Sequence, residues 1–464
     1  MVFSSTIFLF FFLPLTILGY RLLKESYRIY FLLLASLFFY AWGEPAYILI
    51  MLLSIAINYL FGRAIHAAGS RVRGVLLAAG IFANLGILYY FKYLNFTLSA
   101  FNLFFGTNFA GRSIVMPIGI SFFTFQGMSY IIDLYRGKVE LQKNPALMAF
   151  YISFFPQLIA GPIVRYTDIE RQIYSRNEGI EQFVRGSRRF IVGLAKKVLI
   201  ANTMGYTVDL IFANPPTTHS PAIAWLGLVC YNFQIYFDFS GYSDMAIGLG
   251  KMFGFDFKEN FDYPYISKTI TEFWRRWHIS LSSWFKDYVY IPLGGNRRGN
   301  VYVNLFIVFF ITGLWHGAQF SFIVWGLWHG CFLIAERLLH IREAKPGAPA
   351  ILRYILTMLI VMVGWVFFRA EGLQSALKYL GIMFGMIKSE NVGYTLGYYL
   401  TPNTIAVLIL AVFASTPIAK LHIFKQRQNP VFRYVPTVLS LLLFFLSVVF
   451  VVSSSYNPFI YFRF

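Results

Sequence analysis

The sequence predicts an all-α protein that crosses a membrane many times. Of its 464 residues, 58% are hydrophobic and only 13% are charged, whereas soluble domains carry about 25% charged residues. The mean hydropathy is +0.61, and the apolar residues come in long runs. These observations exclude soluble, disordered and fibrous proteins. Cys230 and Cys331, the two cysteines, both lie in apolar runs and are too few for a disulfide framework.

The charge balance is strongly basic, with 39 Lys and Arg against 20 Asp and Glu. In a membrane protein, basic residues gather in cytoplasmic loops and beside anionic lipids. We therefore expect contacts with membrane lipids and none with nucleic acid. A second interpretation stays open, namely a basic site for a phosphate-bearing substrate.

The apolar runs predict about eleven spans, to within two, because a helix crosses the hydrocarbon core with roughly 20 residues. We expect one transmembrane domain over residues 1–464. In chain order, the runs cover residues 7–20, 29–42, 46–60, 75–91, 116–134, 147–164, 225–236, 301–315, 320–334, 355–368, 405–413 and 436–452.

Basic residues between the runs predict the topology. The loops after the first and third runs hold basic residues and are therefore assigned to the cytoplasm, which places the N-terminus outside. The neutral start of the chain has no basic region of a signal peptide. The residues involved are Arg21, Lys24, Arg28, Arg63, Arg71 and Arg73. Lys420, Lys425, Arg427 and Arg433 precede the last run, so residues 453–464 are predicted to form an extracytoplasmic tail.

Two segments do not fit the pattern of simple spans. Residues 180–200 alternate basic and apolar side chains, which predicts an amphipathic interfacial helix. Residues 251–298 hold the densest charge and aromatic content of the chain. We interpret them as an interfacial or re-entrant segment that carries the chemistry.

Within residues 251–298, Thr269 or Thr271 can cap a short helix in which Glu272 reaches Arg275 and Arg276. An interfacial helix with tryptophans at headgroup level accounts for these residues. That interpretation does not account for His278, which shares the segment with Ser280, Ser282 and Ser283.

His316 and His329 each lie in a Trp-His-Gly triplet inside a stretch without acid, Lys or Arg. An ionisable side chain at bilayer depth is costly, which indicates a functional residue. The alternative is a hydrogen-bonded histidine of the core. On one continuous helix the two side chains would point about 220° apart, so we expect them not to act as a pair, and one of them to be structural.

The residue types in this stretch limit the roles that its histidines can have. A metal site needs further carboxylate or thiolate ligands, which are missing, so we predict none. A general base needs one imidazole near a hydroxyl and an electrophile. Nearby basic residues can bind the phosphates of a nucleotide-like donor: Arg275, Arg276, Lys286, Arg297 and Arg298. Together these features suggest acyl transfer from a coenzyme A thioester to a hydroxyl.

Several motifs resemble the membrane-bound O-acyltransferases, and most closely their bacterial branch that includes the alginate O-acetyltransferase membrane subunit. The segments YFDFSGYSDMAIGLG, ITEFWRRWHISLSSWFKDYVYIPLGGNR and GLWHGAQFSFIVWGLWHG carry the resemblance at residues 236–250, 270–297 and 313–330. The N-terminal 15 residues and residues 117–137 and 158–166 look the same way.

The resemblance implies a ring of tilted helices around a central tunnel, with interfacial and re-entrant helices. It implies that His316 is the catalytic histidine and His278 the second functional one, with Trp315 and His329 in support. The implied donor is acetyl-CoA. The acetyl group would pass to an extracytoplasmic, hydrolase-like acetyltransferase that modifies a secreted polysaccharide at the bacterial inner membrane.

Polar residues of the motif YFDFSGYSD can hydrogen-bond a developing oxyanion or orient the base. They are Asp238, Ser240, Tyr242 and Asp244. The alternative is a helix break packed with polar groups.

The last residues read SSSYNPFIYFRF. Pro458 breaks a helix, and Tyr461 offers a phenol, a better acyl leaving group than an alcohol because its pKa is about 10. In the family that the sequence resembles, similar aromatic C-terminal tails look like way stations for the acyl group, so the resemblance implies that Tyr461 accepts the acetyl group transiently or docks the outer partner. The alternative is an aromatic belt that anchors the last span.

Two other functions remain open. One is a D-alanyl or other acyl transferase of the same family. The other is a transporter of polysaccharide or lipid-linked sugar, which would normally show acids along its path. The sequence does not name the polymer.

Overall fold

The computed structural model describes residues 1–341, 348–390, 393–418 and 435–460, and within these ranges the chain is helical and has no β-strand. The chain divides into two compact units. Unit 1 comprises residues 1–190 and 243–258, and unit 2 comprises residues 191–242 and 259–464. Two helices, α10 (Ile180–Ala195) and α12 (Pro221–Met252), contribute residues to both units.

The helices of unit 1 follow a π-helical turn at Phe8–Phe12. They are α1 (Leu13–Leu22), α2 (Glu25–Gly43), α3 (Ile48–Ala67), α4 (Ser70–Leu88), α5 (Leu94–Phe105), α6 (Ile120–Tyr135), α7 (Pro145–Ser153), α8 (Phe155–Leu158) and α9 (Tyr166–Tyr174).

Unit 2 contains the three histidines named above, of which His316 and His329 lie in helices and His278 lies directly before one. The helices of this unit are α11 (Asn202–Phe212), α13 (Ile270–Arg276), α14 (Ile279–Phe285), α15 (Val301–His316), α16 (Phe320–Leu338), α17 (Ala348–Arg369), α18 (Leu373–Met383), α19 (Leu396–Tyr399), α20 (Pro402–Ala414) and α21 (Val435–Ser453).

Unit 1 combines an aromatic core with a few buried polar contacts. Asn58 on α3 and Asn84 on α4 exchange amide hydrogen bonds of 2.9 and 3.1 Å. Interhelical amide pairs of this kind hold helices together where apolar packing alone gives little specificity. A Cβ at Gly127 of α6 would lie 2.2 Å from the Asn58 amide nitrogen, so glycine is needed where α6 passes this pair.

A polar network joins the loop before α10 to α1 and α2. The Glu178 carboxylate accepts hydrogen bonds from Tyr20, Arg28 and Arg176. Partial burial acts to raise the pKa of the Glu178 carboxyl, but the Tyr20 hydroxyl and the two guanidinium groups outweigh it and hold that pKa below its usual value. The network therefore favours an ionised Glu178.

The all-helical prediction is confirmed, but the count of eleven spans is not. Among the described residues, four helices are long and apolar enough to cross a membrane: Ile48–Ala67, Ser70–Phe105, Pro349–Arg369 and Val435–Ser453. Shorter apolar helices cover Phe8–Leu22, Val301–His316 and Pro402–Ala414.

Three local predictions differ from the structure. The predicted span 147–164 is broken, because the chain leaves helical geometry at Phe154 and a separate short helix, α8, begins at Phe155 with Pro156 in its first turn. The motif at residues 236–244 lies inside the continuous helix α12, so the alternative of a helix break there is wrong. The predicted interfacial helix 180–200 continues into a π-helical segment, Lys196–Ala201, in which Lys197 is buried.

Candidate active site

The two Trp-His-Gly triplets lie on a hairpin of two closely packed helices, α15 and α16. Glycines permit the close approach. A Cβ at Gly313 would lie 2.4 Å from the Phe322 carbonyl oxygen, and one at Gly326 would lie 2.3 Å from the Phe309 carbonyl oxygen. Because only glycine fits at these two positions, the end of α15 that leads to His316 packs directly against the first turns of α16.

His316 is the last residue of α15, and the helix ends there because Gly317 takes an extended conformation. Its imidazole is 6% exposed. Three aromatic rings meet it edge-on, with centroid distances of 4.8 Å to Trp315, 4.8 Å to Trp325 and 5.2 Å to Phe368. The predicted catalytic histidine is therefore held in a defined orientation at a helix terminus.

His278 precedes α14 in a left-handed backbone conformation, with a φ of 44°. This conformation is uncommon for a residue with a side chain and usually marks a local constraint. The constraint is visible in the fully buried imidazole, whose Nδ1 lies 3.1 Å from Oδ1 of Asn260.

The hydrogen bonds of Asn260 define the tautomer of neutral His278. Asn260 Oδ1 also accepts from the backbone N–H of Ser280 at 3.2 Å and from its hydroxyl at 2.9 Å. Since a backbone N–H can only donate, the Asn260 atom at this point is the oxygen, and Nδ1 of His278 must carry the hydrogen. Neutral His278 thus presents an unprotonated Nε2, the form that accepts a proton or a hydrogen bond.

The structure brings His278 and His316 together. Their ring centroids are 6.5 Å apart. Phe239 of α12 packs edge-on against His278 at 4.6 Å, and Trp315 lies 6.0 Å from it. The two predicted functional histidines, although 38 positions apart in the chain, therefore share one buried aromatic site.

His329 has a different environment. It is fully buried and lies between Phe273, Trp274, Trp325 and Trp365, at centroid distances of 5.3 to 6.4 Å. Neither of its ring nitrogens has a hydrogen-bond partner among the residues that the structure describes. Its contacts are those of a packing residue that supports Trp325, the ring that also touches His316.

Glu336, a residue that the sequence reasoning did not single out, links α16 to α13. Its carboxylate accepts hydrogen bonds from the backbone N–H of Ile270, from the N–H of Thr271 at 2.9 Å and from the Thr271 hydroxyl at 2.7 Å. Thr269 caps the same helix through the Glu272 N–H. These bonds satisfy the helix N-terminus and hold Trp274 against His329. In the sequence, Glu336 is the first acid after the long stretch without acids, and this position could have drawn attention to it. No comparable feature of the sequence marks Asn260.

A cavity of about 450 Å³ lies beside α13, α14 and α15. Most of its lining is apolar, and Arg275 and Lys286 contribute the basic groups. Ile279, the neighbour of His278, and Trp274, the neighbour of His329, also line it. This cavity combines an apolar wall with two basic side chains.

The other predicted donor-binding residues are placed differently. Arg276 forms ion pairs with Glu272 at 3.1 Å and with Asp262 at 3.2 Å. Arg297 and Arg298 are exposed in a loop in which Gly294, Gly295 and Gly299 have positive φ. None of these three arginines belongs to the described lining of the cavity.

A second cavity of about 480 Å³ reaches the other contacts of His316. Phe368, whose ring meets His316, and Phe322, which packs on Phe368 at 5.0 Å, both line it. The polar lining residues are Asp209, Gln234, Gln319, Arg369 and Glu371. Arg369 and Asp209 form an ion pair of 2.9 Å.

The four polar residues predicted on α12 have separate partners. Asp238 pairs with Lys197 at 2.7 Å, and Asp244 pairs with Arg189 at 2.6 Å. Tyr242 stacks on Phe459, with centroids 4.7 Å apart. The buried hydroxyl of Ser240 has no hydrogen-bond partner within the described ranges. Tyr461 lies outside the described residues.

The described residues contain no group of three or more His, Cys, Asp or Glu side chains that could hold a metal ion.

Comparison with known proteins places this geometry in a family context. Residues 112–376 match MBOAT, the membrane-bound O-acyltransferase family. The sequence is 43% identical to the probable alginate O-acetylase AlgI of Pseudomonas putida over 491 aligned residues that cover both chains completely. It is 34% identical to the peptidoglycan O-acetyltransferase of Helicobacter pylori over all of this chain and 98% of that one. A teichoic acid D-alanyltransferase of Bacillus subtilis matches at 31% identity over 44% of this chain and 55% of its own length.

Proposed function

The chain belongs to the membrane-bound O-acyltransferase family and is a multi-pass membrane acyltransferase, and from that premise we propose the group that it moves and the route. It passes acetyl groups from cytosolic acetyl-CoA to an extracytoplasmic partner, which O-acetylates a secreted, alginate-like polysaccharide. The observation that carries the proposal is the pair of buried histidines, His278 and His316, together with two cavities, one lined by Ile279, which follows His278, and one lined by Phe368, which contacts His316.

His316 acts as the general base. Its imidazole takes the proton of an acceptor hydroxyl while the hydroxyl oxygen attacks the carbonyl carbon of the thioester. The carbon–sulfur bond then breaks, and the leaving sulfur takes the proton back to give free coenzyme A. The unprotonated Nε2 of neutral His278 accepts a hydrogen bond from the acceptor hydroxyl or from His316, and Asn260 keeps it in that form. Ser240 is the candidate donor to the developing oxyanion.

Acetyl-CoA enters through the cavity beside α13 and α14. Arg275 and Lys286 bind its phosphates, and the apolar wall receives the pantetheine arm and the acetyl group. Arg276 supports this side by fixing the end of α13 through Glu272 and Asp262. Arg297 and Arg298 attract the anionic donor from the exposed glycine-rich loop. This side faces the cytoplasm of a bacterial inner membrane.

The acceptor side is the cavity beside Phe368, and the partner there is a hydrolase-like acetyltransferase outside the cytoplasm. Both chain termini are extracytoplasmic. Tyr461 accepts the acetyl group transiently or docks the partner. If Tyr461→Phe, which keeps the ring, leaves polymer acetylation intact, the relay through its hydroxyl is wrong.

The relatives support acetyl as the group transferred. The names of the two full-length relatives specify an alginate O-acetylase and a peptidoglycan O-acetyltransferase. The named D-alanyltransferase covers under half of this chain. Transfer of another acyl group is therefore the second candidate.

The experiment separates an acyltransferase from a polysaccharide transporter. In a strain whose own copy is deleted, the His316→Ala chain should export wild-type amounts of polymer that carries no O-acetyl groups, because the base is lost but no transport step is. Polymer amount and acetyl content are measured separately, with immunoblotting for equal chain in the membrane. Loss of export with normal acetylation of each remaining polymer chain would overturn the proposal.

A further inference from the structure

Among the described residues of unit 2, an ion pair that includes neither of the site histidines is almost completely buried. Lys197, in the π-helical segment before α11, and Asp238, on α12, are 1% and 3% exposed at their side chains, with 2.7 Å between Nζ and Oδ1. A buried pair is tolerated only where further hydrogen bonds satisfy both groups, because each charge has lost its water. The partners of those remaining bonds are therefore informative.

The C-terminal segment supplies two of them through its backbone. Lys197 Nζ donates to the Pro458 carbonyl, and Asp238 Oδ2 accepts the Ile460 N–H at 2.8 Å. Asn202 also accepts from Lys197, at 2.9 Å. The cation thus faces a carbonyl and the carboxylate faces an N–H, so the polarity of the pair matches the polarity of the peptide. Phe459, between these two residues, packs on Tyr242.

Further along the same segment, Tyr456 has its own fixed position. Its hydroxyl donates to Asp209 at 2.7 Å, the carboxylate that also pairs with Arg369. Asp209, Arg369 and Ile460 all line the cavity that reaches Phe368, the ring against His316. Ile460, at the end of the segment 456–460, therefore forms part of the wall of that cavity.

We propose that Lys197 and Asp238 are positioning residues that hold residues 456–460 by matching the polarity of their backbone, and thereby set the cavity wall at Ile460. Without the pair, the segment detaches and the cavity beside Phe368 loses one side. The consequence for activity rests on the proposed acetyl transfer through this cavity, whereas the anchoring itself does not.

The test reverses the pair. Lys197→Asp combined with Asp238→Lys retains two opposite charges but sets a carboxylate against the Pro458 carbonyl and an ammonium against the Ile460 N–H. A nitroxide on Ser455→Cys reports the segment, because Ser455 is exposed. The labelled chain also carries Cys331→Ser, because the exposed Cys331 would otherwise take up the label, whereas Cys230 is buried. The purified full chain gives an immobilised spectrum before reversal, and we expect a mobile one after it.

A second variant and a matched control keep the test decisive. Lys197→Met with Asp238→Leu removes both charges at similar volume, a replacement that folded proteins often tolerate, and it should also release the label. Reversal of the pair Arg189–Asp244, which involves the same helix α12, should leave the label immobilised. An immobile label in both Lys197–Asp238 variants, with folding verified by size exclusion and thermal melting, would overturn the anchoring.

Polymer acetylation is measured for the same chains. Both Lys197–Asp238 variants should lower it about tenfold, which corresponds to about 1.4 kcal/mol. A mobile label with unchanged acetylation would overturn the role of the segment in the cavity wall. If the wild-type chain itself transfers no acetyl group, the proposed function fails, and the label still reports the anchoring.

Discussion

The two Trp-His-Gly triplets have the same three residues, but their histidines lie in different surroundings. His316 ends α15 beside His278, and Phe368, one of the rings around it, borders a cavity. His329 lies within α16 among four aromatic rings, and its nitrogens have no partner among the described residues. Burial of an imidazole therefore does not distinguish the two. The second imidazole, His278, which lies beside His316 and not beside His329, does distinguish them.

The glycine of each triplet explains why the surroundings differ. Gly317 is extended and ends the helix, so His316 lies at a terminus where the chain turns. Gly330 remains helical, and a Cβ there would lie 3.0 Å from Cβ of Phe309, so it serves close packing of α15 on α16. One local motif thus produces a helix end in one place and a helix contact in the other.

The largest effect is expected at His316. His316→Gln keeps a side chain of similar size but cannot take a proton at neutral pH, so acetyl transfer should fall by about a thousandfold, within the range for loss of a general base. Transfer is measured as polymer O-acetyl content at equal chain in the membrane. Activity within tenfold of wild type would remove His316 from the chemistry.

A smaller loss of acetyl transfer is expected when the hydrogen bond that fixes the tautomer of His278 is removed. Asn260→Leu removes the oxygen that accepts from Nδ1 and should lower transfer by about ten- to a hundredfold, the scale measured when partners that orient a histidine are lost. Asn260→Asp retains an oxygen at the same place and is the control for lost packing. Equal losses in both variants would mean that the Asn260 amide contributes only to folding.

His329 should tolerate the loss of its polar atoms. His329→Leu removes two nitrogens that have no partner within the described structure, and replacing such groups by apolar atoms is nearly neutral or stabilising. Acetyl transfer should stay within about threefold and the melting temperature should not fall by more than a few degrees. A loss as large as that of His316→Gln would erase the distinction between the triplets.

The smallest effects are expected on the donor side. Arg275→Gln and Lys286→Gln should each raise the KM for acetyl-CoA by about threefold to tenfold and change kcat less, because phosphate contacts bind ground state and transition state alike. Arg276→Gln is the matched control, since its guanidinium is paired with Glu272 and Asp262. A larger KM effect at Arg276 than at Arg275 would mean that the donor binds elsewhere.

Local patterns predicted much of the helical architecture. The runs 301–315 and 320–334 correspond to α15 and α16, and Thr269 caps α13 as expected. The length of an apolar run did not predict where a helix breaks, as at Phe154, or where it continues beyond the run, as in α12. Whether an apolar helix ends depends on packing partners that lie far away in the chain.

The site was predictable in its histidines but not in their partners. His316 and His329 stand out because ionisable residues are rare in apolar sequence, and His278 stands out because an interfacial helix does not account for it. Asn260 and Glu336 act through contacts 18 and 65 or 66 positions away, for which one sequence carries no periodic signal. The amphipathic helix predicted over residues 180–200 gives no sign that Lys197 is buried, because helix amphipathicity does not reveal a buried ion partner such as Asp238.

Inside-out membrane vesicles, which trap the extracytoplasmic partner and polymer in their lumen, test the central claim most directly. Acetyl-CoA labelled with carbon-14 in the acetyl group is added outside, on the cytoplasmic face, and polymer-bound label inside is counted. The account predicts label in the enclosed polymer for the wild-type and His329→Leu chains and none for His316→Gln. Label that reaches the polymer equally well with His316→Gln, or a wild-type chain that delivers none, would contradict it.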